Sequence, residues 1–328
     1  MATESPEASE VADALAEMRA FNERLAEQLA TLPPVHLAPV EETRAARREG
    51  RGWLPPPVFL PQARDVTIPA RGGDLRLRVL PPEGEARGLY LHCHGGGFVF
   101  GRADENDVYL RRLAEATGLC VVSVDYRLAP EHPYPAGPDD CEDAAVWLVE
   151  HGAAELGAPG VLAIGGESAG GYLAAATLLR LRDRHDLAGA FAAANLVYGV
   201  YDLSMTPSQR LWREQLVLTP EAMTFFTDAF APGLDRERLR DPELSPLYAD
   251  LRGLPPALFT VGTRDPLLDD TLFMEARWRS AGNRTELQVW EEGAHAFNLF
   301  PLRAAELANA AQHEFLTRWT SSSPTSSS

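Results

Sequence analysis

The chain predicts an α/β fold: a mostly parallel central sheet with helices on both faces and a helical cap. Three observations carry that expectation. Short apolar runs alternate with helical stretches from residue 88 to residue 319, the pattern of strands joined by crossover helices. Residues 201–249 interrupt the alternation and read as helices, in a segment too long to be an ordinary loop. Finally, Gly166-Glu167-Ser168-Ala169-Gly170 stands where a buried strand runs into a helix. Its two glycines suit a tight turn and a close helix approach.

The elements follow in order. Val11, Leu15, Met18, Phe21, Leu25 and Leu29 recur at helical spacing before Pro33-Pro34, so the first 31 residues read as an amphipathic helix. Residues 35–60 are rich in proline and arginine, with room for a short helix over 40–48. Strands are expected over 65–69, 75–80 and 88–92, then a helix over 104–117 and a buried strand over 119–124. A helix over 138–151, a strand over 161–165 and a helix over 168–184 continue the alternation, followed by a strand over 190–197. After the helical insertion, with Pro220 at a helix start and Phe225, Phe226 and Phe230 on it, a strand is expected over 256–261. A helix over 269–281, a strand over 284–290 and a helix over 304–319 close the chain. The expected organisation is an N-terminal helical cap segment (1–50), a catalytic α/β domain (51–200 and 246–320), a cap insertion (201–245) and a disordered serine-rich tail (321–328). If the N-terminal helix does not join the cap, its apolar stripe must dock on a distant face or form a dimer contact.

The 328 residues, 45% of them hydrophobic, are enough to bury a large core. Against 47 acidic residues stand 30 basic ones, every one arginine, for a formal charge of −17. Such a charge disfavours nucleic acid and anionic membrane surfaces as partners. Three cysteines, Cys93, Cys120 and Cys141, make neither a disulfide framework nor a metal site. With no secretory signal pattern and no apolar run long enough to span a bilayer, a soluble cytoplasmic protein is expected.

Acyl transfer through serine needs a base, an acid that orients it and donors for the oxyanion, and each has a candidate. His94-Gly95-Gly96-Gly97-Phe98 follows an expected strand, and its three glycines leave backbone N–H groups unshielded. Asp265 lies in the turn after the strand over 256–261; Asp269 and Asp270 read instead as charge and capping on the following helix. His295 is, of eight histidines, the one in a loop after a late strand. His36, His151, His185 and His313 read as surface residues, and His92 as facing a sheet surface. The resulting order of Ser168, Asp265 and His295 is that of α/β-hydrolases.

On these residues the sequence resembles the hormone-sensitive lipase family of α/β-hydrolase esterases, called family IV in bacteria. The likeness rests on His94 to Phe98, on the run from Asp125 to Ala136, on the Ser168 turn, on Ser245-Pro246-Leu247, on Asp265-Pro266-Leu267 and on His295. It implies oxyanion donors at the N–H groups of Gly96, Gly97 and Ala169, and makes Asp125 to Ala136 a structural brace. His132, within that brace, is then not a second base. Glu167 departs from the commoner aspartate before the serine.

The expected function is hydrolysis of short- to medium-chain, uncharged esters by a Ser168–His295–Asp265 triad, needing no cofactor and no metal. A lactonase, amidase, peptidase or acyltransferase could use the same triad. A ligand-binding receptor, the reading from another class, is disfavoured because His295 is retained.

Overall fold

The computed structural model describes residues 6–321, with side chains from residue 12. The Val11 side chain and the expected disordered tail, apart from Ser321, lie outside the described residues.

Two helices come first, α1 (Pro6–Ala30) and α2 (Val40–Arg48). Strands β1 (Arg64–Ala70) and β2 (Gly73–Leu80) pair antiparallel. Next come β3 (Gly88–Cys93), α3 (Asp107–Thr117), β4 (Leu119–Val124) and α4 (Ala136–Trp147). A π-helical turn, Leu148–Gly152, leads into the short α5 (Ala153–Leu156). After β5 (Val161–Glu167), α6 (Ala169–His185) and β6 (Phe191–Val197), the insertion contains α7 (Pro207–Leu211) and α8 (Pro220–Phe230). Then β7 (Ala257–Arg264), α9 (Leu268–Ser280), β8 (Thr285–Ala294) and α10 (Arg303–Thr320) complete the fold.

One eight-stranded sheet runs β1-β2-β4-β3-β5-β6-β7-β8. Only the β1/β2 and β2/β4 pairs are antiparallel. The central strands β3 and β4 are buried along their whole length, which is why they read as unbroken apolar runs rather than alternating ones. Leu89, Leu91 and Cys93 of β3 face a core shared with α4, α6 and α9. Tyr90, on the other face, packs with Leu110 and Leu113 of α3 and Phe315 and Leu316 of α10. No helix among the described residues is long and apolar enough to cross a membrane.

Departures from the sequence reading have local causes. Helix α3 starts at Asp107 rather than 104, because the Asp125 carboxylate accepts the Ala103 N–H (3.1 Å) and Arg76 holds Asp104 (3.1 Å). The helix expected over 138–151 begins at Ala136 and gives way after Trp147 to the π-helical turn. There Gly152 packs so near Leu89 that a Cβ would lie 2.6 Å from its methyl. Strands β5, β7 and β8 each run two to four residues past their expected ends, because glycine and charged residues there hide the strand pattern.

The N-terminal helix divides its apolar stripe. Met18 packs with Phe297, Leu302 and Ala305, on the α10 side, whereas Leu25 packs with Ala294 and with Leu216 of the insertion.

His313 is half-buried on α10 rather than freely exposed, and burial lowers its imidazole to about 4 from an ordinary 6.5. A base depressed in the folded state binds its proton more readily once unfolded, so stability is full above pH 6.5 and declines as pH falls toward 4. Melting temperatures at pH 7 and pH 5 should therefore differ less in His313→Gln than in the parent. An unchanged difference would contradict this.

Candidate active site

Ser168 sits between β5 and α6 with φ 58° and ψ −119°, a conformation costing a side-chain-bearing residue about 1–3 kcal/mol. Its surroundings leave it no other. A Cβ on Gly170 would lie 2.7 Å from the Cys93 carbonyl carbon and 2.9 Å from the His94 oxygen, and one on Gly166 would lie 2.6 Å from Gly170. The elbow therefore presses against the end of β3, and only glycine on both sides admits that approach. The following helix buries thirteen residues from Ala169 to Leu181, which anchors the strained turn.

The same approach places the glycine loop. Gly96 and Gly97 both have positive φ, 120° and 61°, and a Cβ on Gly97 would lie 2.5 Å from the Phe226 ring of α8. Ala169 opens α6, so its N–H is one of the first-turn donors that no helical carbonyl takes up. Behind the loop, His94 stacks on Tyr126 (4.1 Å between ring centres), and the Tyr126 hydroxyl donates to the His94 carbonyl (2.8 Å). Burial lowers the His94 imidazole to about 4, so at neutral pH it is an uncharged part of the scaffold.

Asp265 and His295 come from the ends of β7 and β8, and the fold brings both to Ser168. His295 Nε2 lies 3.0 Å from Ser168 Oγ, and its Nδ1 lies 2.8 Å from Asp265 Oδ2. The second carboxylate oxygen of Asp265 accepts the Leu267 N–H (2.9 Å). Both side chains are buried, His295 at 5% and Asp265 at 1% exposure, so their hydrogen bonds act in a poorly screening environment.

The rival residues lie elsewhere. Asp270 is fully buried and accepts from the Tyr201 and Asp202 N–H groups, Thr206 and Gln209, tying down the start of the insertion. Asp269 accepts the Ser208 N–H at 2.8 Å. Both stand in the first turn of α9, as the charge reading expected, but neither caps that helix. His132 is exposed on the Asp125–Ala136 run. That run braces the loop through Asp125 on Arg76, Arg127 on Asp140, and the Ala129 N–H on the Phe98 carbonyl.

Sequence reasoning missed a polar layer under the elbow. His92 faces the sheet side covered by α3 and α10, where its ring nitrogens meet Ser123 Oγ (2.9 Å) and Glu167 Oε2 (2.9 Å). The longer arm of Glu167, in place of aspartate, spans that gap. Burying such a pair costs several kcal/mol unless both members are partnered. Tyr198, hydrogen-bonded through its hydroxyl to Asn298, sets its ring 4.7 Å from that of His295. The signals for this layer were a histidine, His92, inside a run read as strand, and Glu167 in place of the commoner aspartate before the serine.

A family model described as an alpha/beta hydrolase fold matches residues 90–299. The chain belongs to that family. The relatives it matches are esterases, in keeping with its resemblance to the hormone-sensitive lipase family. The carboxylic ester hydrolase LipN of Mycobacterium tuberculosis is 36% identical over 78% of this chain and 69% of its own length. Carboxylesterase NlhH of the same organism is 35% identical over 84% of this chain and 89% of its own. Among solved structures, a hyperthermophilic esterase from Pyrobaculum calidifontis superposes with a TM-score of 0.82 at 32% identity, covering 91% of this chain and 97% of that one. A thermostable esterase from Pseudomonas putida gives 0.83 at 27% identity, covering 93% and 97%.

Because the carbonyl of Cys93 belongs to the backbone and cannot swing away, Gly170→Ala should destabilise the protein by about 3 kcal/mol or more. Urea unfolding would measure it. A variant as stable as the parent would show that the elbow has room to relax.

Proposed function

We propose that the protein is a carboxylic ester hydrolase in which Ser168 is the nucleophile, His295 the general base and acid, and Asp265 the residue that orients the imidazole. The observation that carries this reading is the pair of hydrogen bonds made by His295, 3.0 Å to Ser168 and 2.8 Å to Asp265. The relatives, named as carboxylic ester hydrolase, carboxylesterase and esterase, support the reaction class.

Ser168 Oγ attacks the ester carbonyl carbon while its proton passes to His295 Nε2. Asp265, accepting from Nδ1, keeps that nitrogen protonated and stabilises the imidazolium. The N–H groups of Gly96, Gly97 and Ala169 receive the tetrahedral oxyanion, each donor worth about 3 kcal/mol. The α6 N-terminus adds its dipole to the same charge. As the intermediate collapses, His295 returns the proton to the departing alkoxide and an acyl-Ser168 remains. Water, deprotonated by His295, then attacks the acyl carbon, and the acid departs with Ser168 restored.

The substrate class follows from what lies over the loop. Phe226 closes on Gly97, and Phe225 and Phe226 pack with Val99, Phe100, Ala129, Val35 and Val40. The segments 1–50 and 201–245 therefore act together as a cap, meeting at Val35 and Val40 with α8 and at Leu25 with Leu216. A cap so tightly filled with aromatic rings favours small, uncharged esters.

Ser168→Ala and His295→Ala should each lower kcat/KM on p-nitrophenyl butyrate by roughly 10,000-fold or more, since triad members act as a unit. Asp265→Asn should approach that loss, whereas Asp269→Asn should stay within about tenfold of the parent. Activity of Ser168→Ala near the parent's would overturn the nucleophile; an Asp269 lesion worse than that at Asp265 would overturn the acid.

Among p-nitrophenyl esters, acetyl to octanoyl chains should be hydrolysed faster than palmitoyl. Preference for palmitoyl, or for an amide or lactone in the same panel, would overturn the substrate class.

A further inference from the structure

The carbonyl of Glu292, three residues before His295, has lost its place in the sheet. Between the pairs Gly262↔Trp290 and Arg264↔Ala294, one residue of β7 faces three of β8, a bulge of the kind that bends a strand end and re-aims a side chain. The Glu292 N–H is taken by Thr263 Oγ1 (2.9 Å). Its carbonyl is taken by no strand but by Asn22 of α1, whose Nδ2 donates at 2.8 Å. Asn22 is 1% exposed, although it lies on a helix that is mostly half-buried or exposed.

The turn carrying His295 is strained on both sides, with φ 61° at Glu292 and 67° at Ala296, neither of them glycine. Such conformations persist only where the surroundings hold them. Here α1 touches each flank: Asn22 and Arg19 grip Glu292 (2.8 and 2.9 Å), Leu25 packs on Ala294, and Met18 packs on Phe297. Arg264, the residue before Asp265, reaches the other Glu292 oxygen at 3.5 Å. Glu292 is thus the joint between the acid-bearing and base-bearing loops, and α1 is what fixes it.

We propose that Asn22 is a positioning residue for catalysis: by holding the bulged Glu292 carbonyl, it keeps His295 in register with both Ser168 and Asp265. This rests on His295 being the base, as proposed above. The N-terminal helix then acts on the chemical step itself, apart from any part it has in shaping the substrate pocket.

The test replaces Asn22 with leucine, nearly the same size and without a donor, in the full-length protein. Asn22→Leu should lower kcat for p-nitrophenyl butyrate roughly tenfold or more with KM within about twofold, and slow fluorophosphonate labelling of Ser168 to a similar degree. Leu148→Ala, a core lesion in the π-helical turn after α4 that lowers the melting temperature, should keep the parent kcat. If Asn22→Leu does not fold, Asn22→Ser, too short to reach Glu292, should give the same kcat loss. The proposal falls if the Asn22 variant keeps both rates within twofold of the parent, or if Leu148→Ala loses as much kcat. His295→Ala separates the two failures: near-parent activity there overturns the base, and with it this inference. Loss of activity there beside an undamaged Asn22 variant overturns the positioning role alone.

Discussion

The contact on which the site depends is the close approach of the Ser168 elbow to the end of β3. Gly166 and Gly170 lie against the Cys93 carbonyl, so the strand that delivers Ser168, the proposed nucleophile, and the strand that delivers the glycine loop end at one point. A side chain at either glycine would separate them. The strain of a serine at φ 58° is offset by burial on both sides: β5 is central in the sheet and α6 is enclosed through its first three turns. Acyl transfer needs nucleophile and oxyanion donors in fixed relation, and here one backbone contact fixes the residues proposed for both.

The proposed base, His295, reaches this point from a weaker part of the fold. Strand β8 is the sheet edge, with Leu287 and Val289 39% and 46% exposed, and its end bulges away from β7. What an edge strand lacks in ladder hydrogen bonds is made up by side chains: Asn22 and Arg19 from α1, Thr263 and Arg264 from β7. Ser168 is therefore held by the core and His295 by a clasp of polar contacts. Beneath both, the His92–Glu167 pair and Tyr198 place polar groups between the sheet and α3 and α10. An all-apolar layer would have been cheaper to bury, and the position of this one, one residue from Ser168, ties it to the site.

Much of this was legible in the chain. Apolar runs and helical periods located the strands, because a doubly covered sheet tolerates little else along β3 and β4. The glycines around Ser168 and in the loop after β3 stood out because only that residue fits those turns. Less legible were the strand ends: Glu167, Arg264 and the stretch from Glu291 to Ala294 are strand in the fold but read as loop, since charged residues and glycine interrupt the apolar pattern there. His313 misled for a related reason. A histidine carries no mark of burial in one dimension, and its environment is set by whichever helix lies across it.

By itself, then, the sequence determined the alternating architecture, the elbow, the glycine loop and the order of Ser168, Asp265 and His295, because each is written in local chemistry: periodicity, glycine at constrained turns, and residue type at strand ends. Only the tertiary structure decided that three side chains so far apart in the chain meet within 3.0 Å, that Asp270 anchors the insertion rather than capping a helix, and that α1 divides its contacts between α10, the insertion and the histidine turn. Those outcomes depend on which surfaces pack together, and packing is a property of the whole chain that no local pattern encodes.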